Sequence, residues 1–302
     1  MPTQPAADDV VNALTDLLSR RYVFPALAAR AETALRASLQ AGSFADLDGP
    51  ELMTRLTSDL YDVCADHHLR LIWHDEPQAL IEGLADDDPV QLAEWRAEEE
   101  TDGHGIVRVE RHEGVGVIEL DSVCHADWGS AAIGAAMTLV RHTTALVLDL
   151  RRNVGGWPEG AATWCSYFFP GDTTHLNDVY DRDLDATRQF WSLPGLPGPR
   201  YLDRPVYALV SSRTFSGGED IAYTLQAQGR AVVVGETTRG GAHPTDLVRL
   251  SPHVAVKIPT ARSINPVTGS NWEGVGVTPD VSVPADSALE TAQRLAADEH
   301  GR

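Results

Sequence analysis

The stretch Thr214-Phe215-Ser216-Gly217-Gly218 places a serine on a glycine-rich turn. Before it runs the apolar segment Val206 to Val210, and after it Ile221, Ala222 and Leu225 recur at helical spacing. A serine set by such a turn at the start of a helix presents its hydroxyl outward. The glycines behind it let bare N–H groups approach whatever that hydroxyl attacks. The chemistry these residue types allow is nucleophilic attack with an oxyanion hole. The same residues also satisfy a capping box, Ser216 with Glu219 three positions on, which requires no chemistry at all.

A serine hydroxyl is a weak nucleophile until a base of near-neutral pKa takes its proton, and histidine is the side chain with that pKa. Three histidines stand near informative motifs: His67 and His68 in Asp66-His67-His68-Leu69, and His243 shortly after Gly240-Gly241. Strand alternation separates the faces of His67 and His68, so only one of them can serve. The chain has a single lysine, Lys257, and it falls in a strand pattern away from the glycine turns. A second glycine turn, Arg151-Arg152-Asn153-Val154-Gly155-Gly156, follows the apolar run Ala145 to Leu150. None of the eleven histidines sits in HExxH or HxH spacing with acids, and no GxGxxG follows a first strand. No metal and no cofactor are expected.

The elements that must position these groups change character along the chain. Residues 8 to 66 carry helical stripes: Val10, Val11, Leu14, Leu17 and Leu18, then Leu27, Ala31, Leu35 and Leu39, then Leu52, Leu56, Leu60 and Val63. Residues 76 to 104 hold the densest acidic run, including Asp86-Asp87-Asp88 and Glu98-Glu99-Glu100, and read as a solvated linker or exposed helix. From Gly105 onward short apolar strands alternate with helices and glycine turns, the pattern of an α/β core with a largely parallel sheet. The expected division is 1–75 as an N-terminal helical domain, 76–104 as a linker and 105–302 as the α/β core. At 302 residues the chain has room for two domains, and 43% hydrophobic with 23% charged residues is ordinary globular composition. A net charge of −20 argues against nucleic acid and against anionic membranes. The start, MPTQPAADD, lacks a signal peptide's basic and apolar regions, and Cys64, Cys124 and Cys165 read as reduced core thiols, so a cytoplasmic location is expected.

Four ordered blocks together resemble one family. They are Leu148 to Gly156, Ser212 to Glu219, Gly235-Glu236-Thr237-Thr238-Arg239-Gly240-Gly241, and Trp272-Glu273-Gly274-Val275-Gly276-Val277-Thr278-Pro279-Asp280. The family is that of the tail-specific, or C-terminal processing, serine peptidases, which includes tricorn protease and the repeats of interphotoreceptor retinoid-binding protein. The resemblance implies a Clp-protease/crotonase-like core of βα units, and it implies Ser216 as nucleophile. The processing peptidases' lysine base is absent here, since its position is similar to Gly241. The tricorn-like branch uses a histidine and a late glutamate instead, and the matching positions are His68 and Glu273, with His243 as the competing base. For the oxyanion the family's pattern implies Gly217 together with Gly155 or Gly156. No PDZ module is recognisable between the helical part and the core.

The function expected is peptide-bond cleavage by a Ser-His-Glu acyl-transfer mechanism on a peptide or small-molecule substrate, with a homo-oligomer left open. Two other readings stand beside it. One is a non-proteolytic binding protein whose apolar pocket is lined by Trp157, Trp164, Phe168, Phe169 and Trp191; the other is a related fold acting on a small metabolite.

Overall fold

A computed structural model of the chain describes residues 6–78 and 89–300. The acidic triplet at 86–88 lies outside these residues. In chain order the elements begin with α1 (Ala7–Arg21), α2 (Pro25–Gln40), α3 (Gly49–Cys64), β1 (Arg70–Trp73) and α4 (Pro89–Thr101). There follow β2 (Ile106–His112), β3 (Val115–Leu120), α5 (Ala126–Val140), β4 (Ala145–Asp149) and α6 (Pro158–Ser166). Next come β5 (His175–Asp181), β6 (Ala186–Trp191), β7 (Val206–Val210), α7 (Gly217–Ala227) and β8 (Val232–Gly235). The chain closes with β9 (Thr245–Ser251), β10 (Val254–Pro259), β11 (Ala261–Ile264), β12 (Val281–Ser282) and α8 (Ala288–His300).

Two compact units divide these elements. The first comprises 1–94, 180–187 and 243–262, and the second 95–179, 188–242 and 263–302. In the first unit each helix forms for a local reason. Asp8 and Asp9 open α1 and Arg20 and Arg21 close it, complementing its dipole. Pro25 starts α2 in its first turn, and Asp48 caps α3 through the Glu51 N–H. The buried stripes, Val10, Leu14 and Leu18 on α1 and Leu52, Leu56 and Leu60 on α3, are those the spacing predicts. They pack on Val254, Val256 and Ile258 of a three-stranded antiparallel sheet ordered β1-β10-β9. The first unit is therefore discontinuous in sequence, because Arg70 pairs with Lys257 and Leu71 with Val256 across the chain.

The second unit is built on a six-stranded sheet ordered β12-β8-β7-β4-β3-β2. All its pairings are parallel except β2 with β3. Its central strands are apolar on both faces, as a sheet covered on both sides demands. Alternate residues sort cleanly. Ile118, Leu148, Ala208 and Val210 meet the side where α5, α6 and α7 lie, and Val117, Val147, Leu209 and Val234 meet Ala288, Ala292 and Ala296 of α8. α5 begins at Ala126 because the His125 ring accepts the Asp127 N–H and caps it. Within the expected linker, α4 runs to Thr101 and bonds to the core through Glu99, which accepts the His125 N–H at 3.1 Å. Cys64, Cys124 and Cys165 are buried free thiols.

Candidate active site

Neighbouring parallel strands deliver their C-terminal ends to the same edge of a sheet, which is where open α/β sheets place their sites. Here β4 and β7 are such neighbours, with Asp149 opposite Leu209. The turns that leave them, 150–157 and 211–216, are bound together. Thr214 Oγ1 donates to Leu150 O at 2.8 Å, Ser211 Oγ to Arg151 O at 2.6 Å, and Phe215 N–H to Asn153 O at 3.0 Å. Arg151 pairs with buried Asp149 at 2.6 Å and braces the start of the first turn.

Ser216, the N-cap of α7, is held at φ 52°, ψ −118°. That conformation is costly for a residue with a side chain and is over-determined by its surroundings, as strained residues at functional sites commonly are. Gly155 and Gly156 stand against it with φ of 103° and 146°. A Cβ on Gly155 would lie 2.6 Å from Ser216 Cβ, and one on Gly156 would lie 1.9 Å from Val123 O. Only glycine permits this approach. The Gly155 N–H donates to Asn153 Oδ1 at 2.9 Å. The N–H groups of Gly156 and Gly217 donate to no group among the described residues, and a Cβ on Gly217 would be 3.2 Å from Gly156 N. The structure thus brings Ser216, Gly217, Gly155 and Gly156 together and leaves two uncommitted donors near the serine.

Glu219 does more than cap α7. It is fully buried, and its two oxygens accept from four donors: Ser216 N–H at 2.8 Å, Gly241 N–H at 2.9 Å, Gly240 N–H at 2.7 Å and the Thr238 hydroxyl at 2.5 Å. Burial raises its carboxyl above the ordinary range, opposed by those hydrogen bonds. The glycine block after β8 is thereby clamped to the serine's own turn. Glu273 holds the same block one residue further on, its Oε2 accepting the Ala242 N–H at 2.5 Å, while the Trp272 indole donates to Gly241 O at 2.7 Å.

In the first unit the structure gathers both candidate bases around one buried acid that the sequence reading left without a role. Asp66 accepts the His68 backbone N–H at 2.9 Å, the Tyr22 hydroxyl at 3.2 Å, and stands 2.8 Å from His243 Nδ1. Burial pushes the Asp66 carboxyl upward. The hydrogen bond and charge of His243, with the charge and N–H of His68, outweigh that and hold it below the ordinary value. Burial drives the His68 imidazole down to about 4, against the pull of Asp66 and with the charges of His243, Lys257 and Arg70 adding to the fall. His68 is therefore neutral at physiological pH. His67 is stacked on Tyr61 at 4.6 Å, with its Nε2 3.2 Å from the phenol oxygen. The signal for Asp66 was its spacing two residues before His68, the position from which a carboxylate accepts a backbone N–H.

The aromatic residues suggested as a ligand pocket do not form one. Trp164 and Phe168 are fully buried core and Phe169 is nearly so, and Trp191 lies on the surface, 43% exposed, stacked on His175 at 4.5 Å. Trp157 points its indole N–H at Glu99 at 2.9 Å. No helix among the described residues is long and apolar enough to cross a membrane.

Comparison with known proteins agrees with this architecture. Residues 114–283 match the model of peptidase family S41, more than half of the chain, and the chain belongs to that family. It is 31% identical over 167 residues to a chloroplastic carboxyl-terminal-processing peptidase 2 of Arabidopsis thaliana, covering 51% of this chain and 29% of that protein. A carboxyl-terminal-processing protease of Picosynechococcus is 29% identical over 46% of this chain and 32% of its own length. The chain thus spans about a third of the length of these relatives. The photosystem II D1 C-terminal processing protease shares the fold at a TM-score of 0.56 and 16% identity, over 97% of this chain and 98% of that one. A lipoprotein from Streptococcus agalactiae does so at 0.62 and 13%, over 99% of both.

Proposed function

We propose that this chain is a serine peptidase acting by acyl transfer, with Ser216 as nucleophile. The observation that carries the reading is the meeting of Ser216, in a strained turn, with the uncommitted N–H groups of Gly156 and Gly217. Ser216 Oγ attacks the scissile carbonyl and its proton passes to an imidazole. The carbonyl oxygen, now an anion, accepts from Gly156 and Gly217. Collapse of this intermediate breaks the C–N bond, the imidazolium returns the proton to the leaving amine, and water repeats the sequence on the acyl-enzyme. One oxyanion donor is typically worth about 2.7–4 kcal/mol of transition-state stabilisation.

For the base, the hydrogen bond of His243 Nδ1 to buried Asp66 supports His243, because that bond fixes the tautomer with Nε2 as the proton acceptor. His243 also follows directly on Ala242, whose N–H is fixed by Glu273. The family resemblance supports His68 with Glu273, and His68 is the second candidate. The substrate class proposed is a peptide. The net charge argues against nucleic acid, and the buried free thiols support a reducing compartment such as the cytoplasm.

The test is labelling by a fluorophosphonate, read by mass spectrometry on the full chain. Ser216 is the residue modified, and Ser216→Ala abolishes the adduct. His243→Ala and Asp66→Asn slow labelling by about 100-fold or more, whereas His68→Ala slows it less. An adduct elsewhere, or none, refutes the nucleophile. A loss confined to His68→Ala transfers the base to His68.

A further inference from the structure

The Gly156 N–H can stabilise an oxyanion only if it points where the charge develops, and its own residue does little to fix that direction. Glycine has the freest backbone of all residues, and here φ is 146°. The direction comes from the peptide unit that Gly156 shares with Gly155. In a trans peptide the N–H and the C=O point opposite ways. The Gly155 carbonyl accepts the Val123 N–H at 2.8 Å, so the Gly156 N–H is turned away from Val123. Val123 also holds the next peptide, its carbonyl accepting the Trp157 N–H at 3.0 Å. Val123 and Gly156 thus form a single parallel bridge.

One side chain ties the two bridged segments together further out. Glu99, on α4, accepts the His125 N–H at 3.1 Å and the Trp157 indole N–H at 2.9 Å, both on Oε1. Its Oε2 lies 3.1 Å from the same His125 nitrogen. The indole is boxed edge-on by His125 at 4.8 Å, Trp95 at 5.9 Å and Trp128 at 6.0 Å, which keeps its N–H on the carboxylate. On α6, a Cβ on Gly160 would lie 1.9 Å from Cys124 O, so the 123–125 segment is wedged there as well. α4 has no buried residue of its own, yet the Glu99 side chain is only 17% exposed. Packing of α4 therefore does not account for an acid reaching this place.

Resting on Gly156 as an oxyanion donor, we propose that Glu99 is a positioning residue for the reaction at Ser216. By holding His125 and Trp157 together it keeps Val123 on both peptides that flank Gly156, and so keeps the Gly156 N–H on line. Its loss leaves the nucleophile intact and weakens the support of the developing anion. The acidic stretch that reads as a solvated linker then supplies part of the catalytic framework.

The test compares two acyl substrates on the full chain, p-nitrophenyl butyrate and its thionoester, in which C=S replaces C=O. Sulfur accepts hydrogen bonds poorly, so oxyanion donors favour the oxygen ester. Only the p-nitrophenol release that Ser216→Ala abolishes is counted. The ester-to-thionoester ratio of kcat/KM, divided by the same ratio in hydroxide, reads the oxyanion contribution. One donor is worth roughly 100-fold or more and a misdirected one keeps part of that, so Glu99→Ala lowers the ratio by about 10-fold. Glu99→Gln retains an oxygen for the two donors and recovers part of the loss. In a Trp157→Phe background Glu99→Ala lowers the ratio less than in the wild type, because one of the bonds it removes is already gone. Trp157→Phe alone lowers the ratio too, and serves if Glu99→Ala does not fold. An unchanged ratio in folded Glu99→Ala overturns the proposal. Equal slowing of both substrates overturns it as well, since a general loosening of the fold does that. Additive effects of the two substitutions overturn the route through Trp157. If the wild-type ratio does not exceed that in hydroxide while a fluorophosphonate labels Ser216, the oxyanion donors are refuted and this inference falls with them. If Ser216 is not labelled, the nucleophile itself is refuted.

Discussion

Glu219→Gln is the substitution that separates a helix cap from a clamp on the Ser216 turn. The two side chains have the same shape, but the amide replaces one acceptor oxygen by a pair of donors. At the Oε2 position the new NH₂ would face the Ser216 and Gly241 N–H groups, neither of which can turn away. At Oε1 it would face the Gly240 N–H and the Thr238 hydroxyl. The second arrangement costs less, because the hydroxyl can rotate. Thr238 Oγ1, however, already accepts the Val277 N–H at 2.6 Å. One orphaned backbone donor at about 1–3 kcal/mol, with the Thr238 bond weakened, amounts to about 2–4 kcal/mol. Urea unfolding of the full chain at pH 7 reads this as a lower midpoint at unchanged slope. The fluorophosphonate rate at Ser216 should fall with it, since the clamp fixes both the serine's own N–H and the Gly240-Gly241 block. If Glu219 only caps α7, the loss stays within about 1 kcal/mol and the labelling rate holds. That outcome would refute the clamp.

Two buried titrations make opposite contributions to stability. Asp220 rises from 3.8 to about 6, so the folded state holds the proton more tightly. Its contribution is full below pH 3.8 and is lost as pH rises through 6. Asp220→Asn should therefore gain on the wild type between pH 4 and 7 by up to about 3 kcal/mol, less any hydrogen bond it forgoes. A variant no more stable at pH 7.5 than at pH 4.5, relative to wild type, counts against a buried anion. His68 falls from 6.5 to about 4, so its contribution is complete above pH 6.5 and disappears as pH drops to 4. His68→Gln should remove that acid-side loss, again about 3 kcal/mol, in the same urea series, and parallel curves for variant and wild type would contradict it. Gly156→Ala forces a methyl to 1.9 Å from Val123 O at a φ of 146°, and should cost about 3 kcal/mol by urea midpoint; an unchanged midpoint would mean the turn relaxes freely.

The parts of this molecule that the sequence discloses are those whose cause is local. The stripes of α1 and α3, the Val-rich strands buried on both faces and the strand–turn–helix around Ser216 each follow from spacing within a dozen residues. The β5–β6 hairpin escapes because His-Leu-Asn-Asp-Val-Tyr-Asp and Ala-Thr-Arg-Gln-Phe-Trp alternate weakly and stay mostly half-buried or exposed. The first unit's boundary escapes for a different reason. β10 belongs beside β1 through pairing across about 180 residues, which no window can see. The same distinction runs through the site. Glu219 sits three residues from Ser216 and so announces itself as a cap, yet its other partners lie 19 to 22 residues away. Asp66 announces itself by its place before His68, while the imidazole it orients is 177 residues distant. Each acid therefore answers to a near backbone N–H. Each then fixes a remote segment by its remaining lone pairs. A carboxylate of this kind is read from sequence as structural because its local bond is structural. Its second bond reaches a segment that no local reading can supply.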